Sequence, residues 1–133
     1  MKVQQQNYPL PISDKLVAIL EKEIVKSGID TQNGVIINFR DPDYSQVAGG
    51  FHPVEIACVD ERIHYITDFS YVGMPPFAEL AKELDFDLGL KLFQQQGHEY
   101  PLGHVAELFQ LWEQNFCSYY HMGVYQVEVG EFY

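Results

Sequence analysis

With 133 residues, of which 47% are hydrophobic and 14% aromatic, the chain is long and apolar enough to bury one core without disulfides or metal, which excludes a disordered tail. A formal net charge of −11 repels a phosphate backbone and excludes nucleic acid as an expected partner. No segment approaches the roughly 20 apolar residues of a membrane-spanning helix, and Met1 to Asn7 carries no apolar signal run, so a single cytoplasmic domain over 1–133 with no membrane partner is expected.

Ser13 suits a helix N-cap, Asp14 complements the dipole and Gly28 suits the stop, which predicts a first helix to about Ser27 with Leu16, Ile19, Leu20 and Ile24 as its apolar stripe. Gly34 to Arg40 reads as a strand, with Val35, Ile37 and Phe39 on one face. Asp41 precedes Pro42, whose ring pushes it out of the helical region and opens a polar loop to Gly49-Gly50. Phe51 to Val59 and Arg62 to Phe69 read as a hairpin about Asp60-Glu61. A two-residue turn there pairs Cys58 with Ile63, Ile56 with Tyr65, Val54 with Thr67 and His52 with Phe69 on an inner face. Ala57 with His64, Glu55 with Ile66 and Pro53 with Asp68 then fall outside.

Pro75 or Pro76 can open a short helix through Phe77, Leu80, Ala81 and Leu84. Phe86, Leu88, Leu90 and Leu92 alternate with polar residues as in a strand with one wet face. Val105, Phe109, Trp112 and Phe116 recur at helical spacing within Leu102 to Met122, a stripe that belongs to a core more often than to a cofactor site. Val124 to Glu131 reads as the last strand. The order α-β-β-β-α-β-α-β predicts an α+β fold in two layers, a mostly antiparallel sheet of about five strands with three helices on one face.

If the first three strands form a meander, the ends of the first and third meet the start of the second at one edge. That edge gathers Arg40, Asp41, Asp43, Tyr44, His52, Asp68 and Tyr71 on loops held by a rigid scaffold, where binding residues concentrate. Glu55, His64 and Asp68 would form an acid/base group on the outer face near Arg40. The plainer alternative is that Asp41 and Ser45 cap a turn and Arg40 pairs with Glu55 or Asp68. His52 and Glu55 are three apart on a strand and point to opposite faces. Asp41 to Ser45 imitates the opening of a calcium loop, but Gln46 stands where glycine is required and His52 where the bidentate glutamate belongs. No zinc spacing, phosphate loop or other cofactor motif is present, so neither metal nor cofactor is expected. Cys58 and Cys117 lie among apolar neighbours and read as buried, reduced thiols.

The segments Asn38 to Ser45, Gly49 to Ile56, Tyr65 to Tyr71 and Tyr119 to Tyr125 resemble the signature stretches of a bacterial family catalogued as domain of unknown function 2787. The resemblance runs from Leu10 onward. It implies a bacterial origin and, through likeness to accessory proteins of chromosomes and mobile elements, favours an interaction role; it implies no chemistry.

Two functions follow as expectations. The first is a non-enzymatic acidic interaction or accessory module that binds a protein partner or forms a homodimer through the 41–51 loop, the Asp68 to Tyr71 segment and an open sheet face bearing Ile36, Ala57 and Ile66. The second is a small hydrolase or small-ligand-binding enzyme using Arg40, His52, Glu55 and Asp68 at the 41–55/68–71 edge, which requires a concave pocket.

Overall fold

The computed structural model describes residues 1–74 and 76–132; Pro75, named above as a helix opener, lies outside them. Helix α1 (Asp14–Ser27) begins where the Ser13 side chain accepts the Leu16 N–H. It ends at Gly28, in the left-handed region at φ 67°. Strands β1 (Val35–Arg40), β2 (Val54–Val59), β3 (Arg62–Val72), β4 (Glu79–Asp87), β5 (Leu92–Gln95) and β6 (His98–Pro101) follow. A short 3-10 turn, Leu102–Val105, leads into α2 (Ala106–His121), and β7 (Gln126–Glu131) closes the chain.

The strands form one antiparallel sheet in the order β6-β5-β4-β3-β2-β1-β7. Val35, Ile37 and Phe39 of β1 and Val54, Ile56 and Cys58 of β2 are buried with Leu16, Leu20 and Ile24 of α1 and Phe109, Trp112 and Phe116 of α2. One face of the sheet therefore carries both helices, as the strand alternation implies. Both cysteines are buried and free, and burial pushes the Cys58 thiol up to about 12 and the Cys117 thiol up to about 11.

The α+β class and the antiparallel sheet are as expected, but among the described residues the sheet has seven strands and there are two α-helices rather than three. The segment predicted as a short helix is the start of β4. Leu80 pairs with Tyr71, Ala81 with Ser70 and Lys82 with Phe69, because the eleven-residue β3 offers a free edge whose ladder outweighs the weak propensity of an isolated helical turn. The alternation from Phe86 to Leu92 is cut by a turn in which Leu90 is exposed and Lys91 takes φ 58°. Strands β5 and β6 leave no pattern in the sequence because they are four residues each, too short for an alternation to show, and are joined through Gln96 and Gly97 at positive φ.

The Asp60-Glu61 turn is two residues long, both at positive φ, and Cys58 pairs with Ile63 as predicted. Beyond it His64 is an extra residue in β3, so Ala57 pairs with Tyr65, Ile56 with Ile66 and Val54 with Asp68. The His64 carbonyl accepts the Leu88 and Gly89 N–H groups of the β4–β5 turn, which satisfies the bulged backbone. A one-residue slip moves each later side chain to the opposite face. Ile66 therefore joins the core, and Asp68 turns inward toward α2 rather than outward beside Glu55. Ala57 and Ile66 are fully buried, which removes the open apolar face expected from Ile36, Ala57 and Ile66.

Candidate functional site

The loop after β1 is built on Asp41. One carboxylate oxygen accepts the Asp43 N–H (2.9 Å) and the other the Phe51 N–H (3.0 Å), so a single side chain joins the two ends of the loop. The closure needs Gly50, at φ 129°, because a Cβ there would stand 2.9 Å from Asp41 Oδ2. Backbone bonds between Ser45 and Gly49 pinch off the tip, and Val47 projects into solvent. Tyr44 folds back: its ring stacks on Tyr71 (5.3 Å between centroids), leans on His52 (5.5 Å), and its hydroxyl accepts the Tyr71 N–H.

His52 Nδ1 lies 2.8 Å from Asp68 Oδ1 and 2.9 Å from Glu83 Oε2. The bonded Asp68 carboxylate holds the imidazole above its usual pKa against partial burial, with Glu83 adding to the effect. The second oxygen of Asp68 accepts the Trp112 indole N–H at 2.9 Å, a bond that satisfies the one polar atom of a ring otherwise packed between Phe109 and Phe116.

This chain of bonds forms one wall of a cleft of about 330 Å³ between the loop and α2. Phe51, Phe116, Tyr119 and Tyr125 supply aromatic walls, and Asn115 a neutral amide. Phe51 packs on Tyr119 at 4.6 Å. Burial first, and the Asp68 carboxylate second, raise the Tyr125 hydroxyl's pKa, so it is a hydrogen-bond donor across the physiological range.

Of the residues expected at this edge, the fold gathers Tyr44, His52, Asp68 and Tyr71, with Asp41 as the loop's staple. Asp43 is exposed on the loop. Arg40 is exposed at the end of β1 opposite Gln126, and among the described residues it makes no ion pair with Glu55 or Asp68. Glu55 does point away from His52, as period-two geometry requires, and accepts the Tyr65 hydroxyl on the outer face. The expected group of Glu55, His64 and Asp68 does not form, because the His64 bulge sends Asp68 to the other side. Glu83, Trp112, Asn115, Tyr119 and Tyr125 were not anticipated at the site. Trp112 alone carried a usable signal, since a core tryptophan needs an acceptor for its N–H.

No curated protein matches the chain. Among solved structures, a hypothetical protein of the Vibrio cholerae VSP-II pathogenicity island superposes with a TM-score of 0.83 at 34% identity, over 96% of this chain and 99% of its own. A conserved hypothetical protein from pathogenicity island VPI-2 of Vibrio cholerae O1 biovar eltor, described as sharing structural homology with the human P32 protein, gives a TM-score of 0.81 at 36% identity over 94% and 98%. The model of one family matches residues 14–130, nearly the whole of the fold just described, and the chain belongs to that family, Protein of unknown function (DUF2787).

Proposed function

We propose that the chain is a small-molecule-binding domain whose site is the cleft between the 41–52 loop and α2. The observation that carries this reading is the cleft itself, whose volume falls in the range of ligand pockets and whose lining combines aromatic walls with a few convergent polar groups. The ligand that fits is a small planar or apolar body with one hydrogen-bonding head, packed against the aromatic wall that Phe51 and Tyr119 form together and reaching His52, Asn115 or the Tyr125 hydroxyl. Binding is preferred to covalent hydrolysis because, among the described residues, the lining has no serine, threonine, cysteine or lysine nucleophile, and both oxygens of Asp68 are already engaged.

Trp112 is the only tryptophan, so its emission reports on the cleft alone. A library of small aromatic and heteroaromatic compounds is expected to yield ligands that change this emission saturably, and Tyr119→Ala is expected to weaken them by about tenfold, or about 1.4 kcal/mol. A library with no saturable hit, or hits indifferent to Tyr119→Ala, removes the reading.

A second reading, the protein-interaction module, is supported by a different observation. Val72, Met74, Phe77 and Leu80 are each exposed about the β3–β4 turn, with Leu80 paired to the exposed Tyr71, and apolar side chains concentrated at one turn suit a second copy of the chain.

A further inference from the structure

Two irregularities in the ladder converge on the mouth of the cleft. His64 is the extra residue of β3 opposite Ala57 and Cys58, and Glu83 is the extra residue of β4 opposite Asp68 and Phe69. Bulges re-aim side chains. The first turns Asp68 to the helix side of the sheet, and the second takes Glu83 out of the strict alternation that would have set it outside opposite Phe69. Together they leave Asp68 Oδ1 and Glu83 Oε2 at 2.8 and 2.9 Å from one atom, Nδ1 of His52, which is itself held by the aromatic face of Tyr44.

One ring N–H is here shared by two carboxylate oxygens, an arrangement in which neither bond can be straight. Two carboxylates also share a single imidazole, while Lys82, the neighbour of Glu83, is turned to Asp85 at 3.6 Å. The three donor atoms form one cluster, and the 2.8 and 2.9 Å separations from Nδ1 to the two carboxylate oxygens are short enough for a cation with metal–ligand bonds of roughly 2.0–2.2 Å to bridge.

We infer that His52 Nδ1, Asp68 Oδ1 and Glu83 Oε2 form a binding site for a divalent transition-metal cation at the mouth of the cleft. The mixed imidazole and carboxylate donors suit Zn²⁺ or Mn²⁺ better than Ca²⁺ or Mg²⁺, which prefer oxygen alone. Trp112 acts one bond further out: its N–H fixes Asp68 Oδ2 and so directs Oδ1 at His52, the role that hydrogen-bonded supports play for ligating carboxylates. Metal-binding spacing is absent from the sequence because His52 comes from the segment before β2, Asp68 from within β3 and Glu83 from within β4, and the three meet only through the two bulges. The inference stands apart from the small-molecule reading, since the cation is tested without any organic ligand.

The test uses the full chain, with Zn²⁺ measured by competition against a chromophoric chelator and Mn²⁺ by NMR line broadening. The expected result is one equivalent of Zn²⁺ taken from the chelator, and an affinity at least about tenfold weaker in Glu83→Gln. His98→Gln and His121→Gln, remote from the three ligands in sequence and absent from the cluster, should leave affinity unchanged. Mn²⁺ should broaden the Trp112 indole N–H, a single assignable signal because the chain has one tryptophan. Equal Zn²⁺ affinity in the native chain and Glu83→Gln, or broadening confined to the other histidines with the Trp112 signal left sharp, would overturn it. Should Glu83→Gln unfold, the Mn²⁺ measurement on the native chain decides alone.

Discussion

Glu113 shows how single residues join distant parts of this fold. It sits on α2, is 5% exposed, and accepts the backbone N–H of Ser13 at 3.0 Å, so α2 holds the start of α1 through one carboxylate. Burial raises its pKa above the usual carboxylate value, and the Ser13 bond only partly opposes this. With the folded value above the unfolded one, the group's stabilising contribution is present below the unfolded pKa of about 4.3 and is lost as pH rises through the folded value. Glu113→Gln keeps an acceptor for Ser13 and removes the charge. Its melting temperature should equal or exceed that of the native chain by a few degrees at pH 7, with the gap closing toward pH 4. A variant less stable at pH 7 and equal at pH 4 would mean that the charged form is the favoured one.

Among elements, α1 and β3 show two ways in which local chemistry sets structure. The start of α1 is written in three residues, and the Ser13 hydroxyl serves the Leu16 N–H that no helical carbonyl can reach. Ser13→Ala should therefore cost about 1 kcal/mol, read as a fall of about 4 °C in melting temperature by circular dichroism. An unchanged melt would show that water serves that N–H equally well. Strand β3 is different, because its facing is decided by the bulge at His64. That residue carries no local mark; its carbonyl is held by the turn that follows β4, a partner 24 positions away and legible only after folding. The expectation that His52 and Glu55 diverge survives because β2 is regular between Val54 and Ala57, whereas the expectation that Asp68 joins Glu55 fails because β3 is not.

For the molecule as a whole, charge and the exposed apolar patch act in opposite directions. A net charge of −11 repels a second copy at low salt, and screening within about 8 Å at physiological ionic strength relieves this. If Val72, Met74, Phe77 and Leu80 form a homodimer surface, sedimentation velocity should show association that strengthens from low to physiological salt and is abolished by Phe77→Ser. A monomer at both salts rules the second reading out. The cleft is also a whole-molecule property: the segment between β1 and β2 supplies the loop, β3 the Asp68 carboxylate, and α2 most of the aromatic wall, while Glu83 of β4 reaches His52 from beside it.

The sequence by itself determined the α+β class, both long helices, the inward faces of β1 and β2, the two-residue turn at Asp60-Glu61, and the edge at which Tyr44, His52, Asp68 and Tyr71 meet. These follow from periodicity, caps and turn residues, which act over a few neighbours. Tertiary structure alone decided that residues 79–87 are a strand, that Asp68 faces α2, and that Glu83, Trp112 and Tyr125 share a site with His52. The reason is that a ladder bond or a bulge is settled by the strand alongside, and no local pattern in one strand records where its neighbour slips.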